Sequence, residues 1–301
     1  MRLIALFLAA AALPITAVSA TPSSAAVSPT RFSVTVMGTG PDVVFIPGLS
    51  TTRDVWTASV GQLKTNHRIH LVQLKGFGEP AGVNASGTVL KPFVEELAAY
   101  VAALPGKPAI VGHSMGGLVA LMLAADHPGL ASRLLVVDTF PFIGPVFGAA
   151  DVAAITPRAE QMRATIIARA GKAAPDFSTL ADCPEDSAAP ATPLGTMTNS
   201  TAGACMMKYG AAASDLRVVA QAVYDDMLTD MRPRLKDIKV LVTLLYPQDD
   251  RLLPAAQADK LYAESYAGTG RLTLVRIPGS YHFIMQDQPE RFRAELERFL
   301  K

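Results

Sequence analysis

Seven short runs rich in Val, Ile and Leu recur from residue 31 onward: RFSVTVMG, DVVFIPG, HRIHLVQL, PAIVGHS, RLLVVDTF, VLVTLLYP and RLTLVRIPG. Glycine or proline closes most of them. Between several lie stretches with apolar residues at helical spacing, such as residues 90–104 and 115–127, the latter stopped by Pro128-Gly129. Short strands that are apolar on both faces must be covered on both faces. Alternated with amphipathic helices, they predict an α/β architecture with a mostly parallel sheet. Half of the 301 residues are apolar, enough to fill such a core.

The rhythm breaks after Pro141. Residues 142–232 are rich in Ala, Met, Thr and Gly, with helical patterning near 158–170 and 214–231 and no strand-like run. The alternation then resumes to the end of the chain. The expectation is one α/β domain over 31–301, interrupted by a helical cap at about 142–232. Met162, Met197, Met206, Met207, Met227 and Met231 of the insertion suit either a soft pocket wall or the cap's own core.

Residues 1–20 carry Arg2, an apolar run from Leu3 to Leu13, and small residues at Val18-Ser19-Ala20. That pattern predicts a signal peptide cleaved near Ala20, followed by a disordered 21–30 segment and an exported mature chain. The apolar run is shorter than the ~20 residues of a spanning helix, so no stable membrane span is expected. Export favours oxidised thiols, and Cys183 and Cys205 are the only two cysteines, which predicts a disulfide between them. No CxxC or Cys/His cluster calls for a metal, and no cofactor motif is present. A formal net charge of +1 gives no nucleic-acid footprint. The expected partner is a small-molecule substrate, uncharged and apolar.

Chemistry concentrates at GHSMGG, residues 112–117. Glycines two before and two after Ser114, between a buried strand and a helix, fit a tight turn that lifts the serine hydroxyl above the sheet. A serine needs a base, a group that orients the base, and N–H donors for the oxyanion. His113 is adjacent, but neighbouring side chains diverge at such a turn, so it reads as a packing residue. Of the five histidines, His282 follows the last strand-like run and would share a sheet edge with Ser114. For the acid, Asp249, Asp250 and Asp138 each follow a strand-like run.

These motifs resemble the α/β-hydrolase family, in its serine hydrolase branch with a helical cap. GHSMGG resembles the family's nucleophile turn. Pro47, Gly48 and Trp56 of VVFIPGLSTTRDVW resemble its oxyanion segment, and GSYHF with Pro289 beyond it resembles its histidine region. QLKGFGEP keeps Gly76 and Gly78 of a family loop, with Gln73 for the usual Asp and Pro80 for the usual Ser. DDRLLP resembles the acid loop and selects Asp250, although Pro247 stands where the family has glycine. The resemblance implies an eight-stranded sheet, a Ser114–His282–Asp250 triad, and oxyanion donors at the backbone N–H groups of Leu49 and Met115. It implies cleavage of an ester or related acyl bond through an acyl-enzyme. C–C hydrolases, amidases, perhydrolases and non-catalytic binders of the same fold remain alternatives.

Overall fold

The computed structural model describes residues 29–171, 176, 183 and 197–301. The expected signal peptide, and residues 21–28 of the segment after it, lie outside the described residues. Each of the seven apolar runs contains a strand: β1 Phe32–Met37, β2 Asp42–Ile46, β3 Arg68–Leu74, β4 Ala109–His113, β5 Arg133–Val137, β6 Leu241–Gln248 and β7 Leu272–Pro278. They form one sheet in the order β1-β3-β2-β4-β5-β6-β7, with β1 antiparallel to β3 and the other pairings parallel. The expected eighth strand is corrected: among the described residues the sheet has seven. The chain offers seven apolar runs, and the eighth was implied only by the resemblance.

Among the described residues the α-helices are α1 Thr57–Val60, α2 Leu90–Ala102, α3 Met115–Asp126, α4 Val152–Ile167, α5 Thr201–Ala212, α6 Leu216–Leu228, α7 Ala255–Ser265, α8 Ile284–Asp287 and α9 Pro289–Leu300. Strands β2 and β4 are buried along their whole length, as expected of a sheet packed on both faces. Successive side chains go to opposite layers. Val44, Ile46 and Ile110 join the core with α2 and α3, while Val43, Phe45 and Val111 join Trp56 and the apolar stripe Phe292, Leu296 and Phe299 of α9. Buried Glu295 on that stripe is held by Arg291 and Arg298, each at 2.8 Å.

Helices α4, α5 and α6 lie between β5 and β6, in the stretch read as a cap. Helix α4 is capped by Asp151, which accepts from the Ala154 N–H, and α6 by Asp215, which accepts from the Arg217 N–H. Phe142, Ile155, Ala159 and Met227 make a small core of their own beneath α4 and α6. Helix α5 has no counterpart in the sequence expectations, because Gly203 and Gly210 interrupt its pattern. Both glycines are there for closeness: a methyl on Gly210 would strike the Ser50 carbonyl, and one on Gly203 would strike Thr198. Cys205 of α5 is bonded to Cys183, with Cα atoms 5.5 Å apart. No helix among the described residues is long and apolar enough to cross a membrane.

Candidate active site

Strand β4 ends in a turn that only this sequence pattern permits. Ser114 has φ 54° and ψ −125°, a conformation that L side chains rarely adopt. A methyl on Gly112 would meet the Gly116 carbonyl, and one on Gly116 would meet the carbonyls of Ile46 and Pro47. The strained serine is held from both sides. Its N–H donates to the Val137 carbonyl at 3.0 Å, and Thr139 Oγ1 donates to its carbonyl at 2.8 Å. The glycine pair lets α3 start against the end of β2, one residue after Ser114.

His282 follows β7. Its Nδ1 is 2.6 Å from Asp138 Oδ2. A carboxylate only accepts, so this contact assigns the proton to Nδ1 and leaves Nε2 as the basic nitrogen. Asp138, at φ 43° just past β5, also accepts from the Tyr262 hydroxyl at 2.5 Å through Oδ1. Burial, and then the charge of Asp138, push the Tyr262 phenol well above its ordinary value, which keeps it a donor.

The acid expectation is therefore corrected: the carboxylate that holds His282 is Asp138, not Asp250. Asp250 is exposed, and its Oδ1 accepts from Gln248 Nε2 at 2.7 Å. Asp249 is occupied by Arg251, accepting from its N–H, Nε and Nη2 at 2.9, 2.8 and 2.7 Å. The DDRLLP loop folds back on itself, with the Leu252 and Leu253 N–H groups on the Asp249 carbonyl, and among the described residues neither of its acids bonds to His282.

His113 packs its ring 4.6 Å from that of His282 and donates from Nε2 to the His282 carbonyl at 3.0 Å. Burial, and then the proximity of His282, hold it well below the usual imidazole range, so it stays neutral. The same loop is pinned by Asp287 of α8. Its Oδ2 accepts the Tyr281 N–H at 2.8 Å, and its Oδ1 accepts from the Thr198 hydroxyl at 2.5 Å and the Asn199 N–H at 3.1 Å. Sequence reasoning missed Tyr262 and Asp287, which carry no motif.

The expected oxyanion donors, Leu49 and Met115, adjoin this turn in the chain or through Gly48. Met115 opens α3, where N–H groups have no helical partner. Leu49 follows Gly48, whose added methyl would lie 3.0 Å from Ser114 Cβ, so the two backbones meet here. Among the described residues, neither N–H has an acceptor. Gln73, which replaces an expected Asp, closes the neighbouring loop itself. It accepts from the Arg53 N–H at 2.7 Å and donates to the Phe77 carbonyl.

Ser114, Asp138 and His282 border one cavity of about 400 Å³. Among the described residues no hydrogen bond joins Ser114 Oγ to His282, and such contacts commonly tighten only with substrate. Of the cap methionines, Met162, Met197 and Met227 line the cavity, while Met231 is buried in the main core.

Known proteins share this fold. Residues 43–295 match the model of the Alpha/beta hydrolase family. Curated relatives include the pimeloyl-[acyl-carrier protein] methyl ester esterases of Vibrio atlanticus (37% identical over 107 residues, 35% of this chain and 39% of the relative) and Aeromonas hydrophila (38% over 109 residues, 36% and 42%). The chain thus spans about two-fifths of the length of these relatives. Among solved structures, the enol-lactonase of Burkholderia xenovorans superposes with a TM-score of 0.63 at 20% identity, covering 89% of this chain and 96% of the other. A thermophilic esterase of Thermogutta terrifontis gives 0.64 at 22%, covering 89% and 92%. At such identities the structural likeness speaks to the fold alone. With the family's model matched from the second strand into the last helix, the chain belongs to the α/β-hydrolase family.

Proposed function

We propose that the protein is a serine hydrolase of carboxylic esters, with Ser114 as nucleophile, His282 as general base and acid, and Asp138 as the acid that orients His282. The observation that carries this reading is the 2.6 Å contact from His282 Nδ1 to Asp138, made beside a serine held at φ 54° in the same cavity. The esterase names of the curated relatives support the choice of ester over other acyl bonds.

In the proposed mechanism Ser114 Oγ attacks the ester carbonyl as its proton passes to His282 Nε2. Asp138 stabilises the imidazolium that forms but takes no proton. The carbonyl oxygen becomes an oxyanion at the N–H groups of Leu49 and Met115, at the positive end of α3. Collapse breaks the bond to the alcohol, which leaves with the proton from His282. Water, losing a proton to Nε2, then attacks the acyl-serine, and Ser114 regains its hydrogen as the acid departs. Small to medium esters suit a cavity of about 400 Å³ walled by Phe140, Val223 and Leu253. The test is hydrolysis of p-nitrophenyl esters of graded chain length. The expected result is turnover that falls by on the order of a million-fold in S114A and H282A. Absence of turnover on every ester would reject the reading.

Export is part of the proposal. The Cys183–Cys205 bond suits an oxidising compartment. It is tested by the mature N-terminus, expected near Thr21; a secreted or periplasmic fraction devoid of the protein would refute it.

A further inference from the structure

The cavity wall carries a carboxyl that the triad does not use. Among the described residues three aspartates line it, Asp138, Asp226 and Asp249, and no lysine or arginine does. Asp138 is engaged by His282 and Tyr262, and Asp249 by Arg251. Asp226, part-buried on α6, has no side-chain hydrogen bond or ion pair among the described residues.

The charged groups around it are accounted for elsewhere. Its neighbour Asp225 accepts from the Val89 and Leu90 N–H groups and from Gln221 Nε2. From α4, packed against α6, Arg158 lies over the Phe147 ring and Arg163 over Tyr224. From the loop after β6, Arg251 is bound to Asp249. His282 is the one basic group on the cavity wall among the described residues. Burial pushes the Asp226 carboxyl up to about 7, with the charge of His282 opposing and that of Asp225 adding.

A wholly apolar ligand closing this cavity would strand the carboxyl without water or partner, at a cost. An anionic ligand would meet like charge. A cation would satisfy it, with the Phe140 ring on the same wall able to receive a quaternary ammonium. We propose that Asp226 recognises a cationic, ammonium-type group carried at the end of an otherwise apolar arm of the substrate. This deepens the ester hydrolase reading and rests on it for the reaction, but not for the binding. It also revises the uncharged substrate expected from the balanced composition, because the charge that matters is local to the cavity.

Two p-nitrophenyl esters of equal shape test it, the 4-(trimethylammonio)butanoate and the 5,5-dimethylhexanoate, which differ by N⁺ for C. The ratio of their kcat/KM values, cationic over neutral, is expected to fall at least tenfold from wild type to D226N and to be largely kept in D226E. A ratio unchanged in D226N overturns the proposal. Calorimetric titration with butyltrimethylammonium reads the same site without turnover and without a variant. Affinity is expected to rise roughly tenfold from pH 6 to pH 8, as Asp226 ionises. At pH 8 it is expected to drop at least tenfold in D226N. No binding, or binding equal in wild type and D226N, overturns the proposal. If Ser114 reacts with a fluorophosphonate while ammonium binding is absent, the inference fails and the hydrolase stands. If Ser114 is inert while binding depends on Asp226, the hydrolase reading fails and the recognition site stands.

Discussion

Replacing Asp138 by Asn is the perturbation whose outcome follows most directly from the geometry. The carboxylate accepts two hydrogen bonds, from His282 Nδ1 at 2.6 Å and from the Tyr262 hydroxyl at 2.5 Å. An amide has one oxygen and one NH2. If the oxygen stays with Tyr262, the NH2 faces Nδ1 and donates to it, which moves the imidazole proton to Nε2. The histidine then presents a donor where the serine needs an acceptor. In a well-studied serine protease the equivalent change lowers kcat about 10⁴-fold, and a similar loss is expected here. That is about 5 kcal/mol of transition-state stabilisation. Asp250→Asn touches only an exposed hydrogen bond from Gln248 and is expected to leave kcat within about threefold. Both variants are measured on one p-nitrophenyl ester, with circular dichroism to verify folding. A loss in D250N equal to or greater than that in D138N would refute the assignment.

Three further changes follow from the same structure. Asp226 rises from 3.8 to about 7 through burial, so the folded state binds its proton more tightly than the unfolded chain does. Its stabilisation is therefore full below about pH 4 and lost as pH rises through 7, at most about 4 kcal/mol in all. D226N removes that dependence, so its Tm should gain on wild type between pH 5 and pH 8; a constant difference would contradict the sign. C205S opens a loop with a sequence separation of 22 and should cost about 3 kcal/mol in the chain-entropy model, read by urea unfolding against a reduced wild-type control. Equal midpoints for C205S and oxidised wild type would refute it. H113A removes the donor to the His282 carbonyl and should lower kcat roughly ten- to a hundredfold with little change in KM. An effect on KM alone would show that His113 does not position the base.

The fold was legible because its strands are local apolar runs, closed by turn residues and separated by helices. All seven runs hold strands in the sheet. That Ser114 and His282 would share a sheet edge was legible for the same local reason: each sits in a short motif beside a strand end, and both border one cavity. The acid was not. Three aspartates follow strands, and the choice depends on how each loop turns. Asp249 is taken up by an arginine two residues on, while Asp138 bonds to His282 across 144 positions of sequence. Nothing local records such a contact. Helix α5 was missed because Gly203 and Gly210 answer to the tertiary packing of Thr198 and Ser50, not to helix propensity. The neutral overall charge hid the local one, since Asp226 becomes a cavity residue only once α6 lies over the strand ends.

If Ser114 is an activated nucleophile, a fluorophosphonate will label it, and peptide mass spectrometry reads the label. One adduct per chain is expected, located on the peptide that contains Ser114, absent in S114A and formed far more slowly in D138N and H282A. An unmodified Ser114 peptide in folded wild-type protein, or an adduct on another serine that persists in S114A, would contradict it.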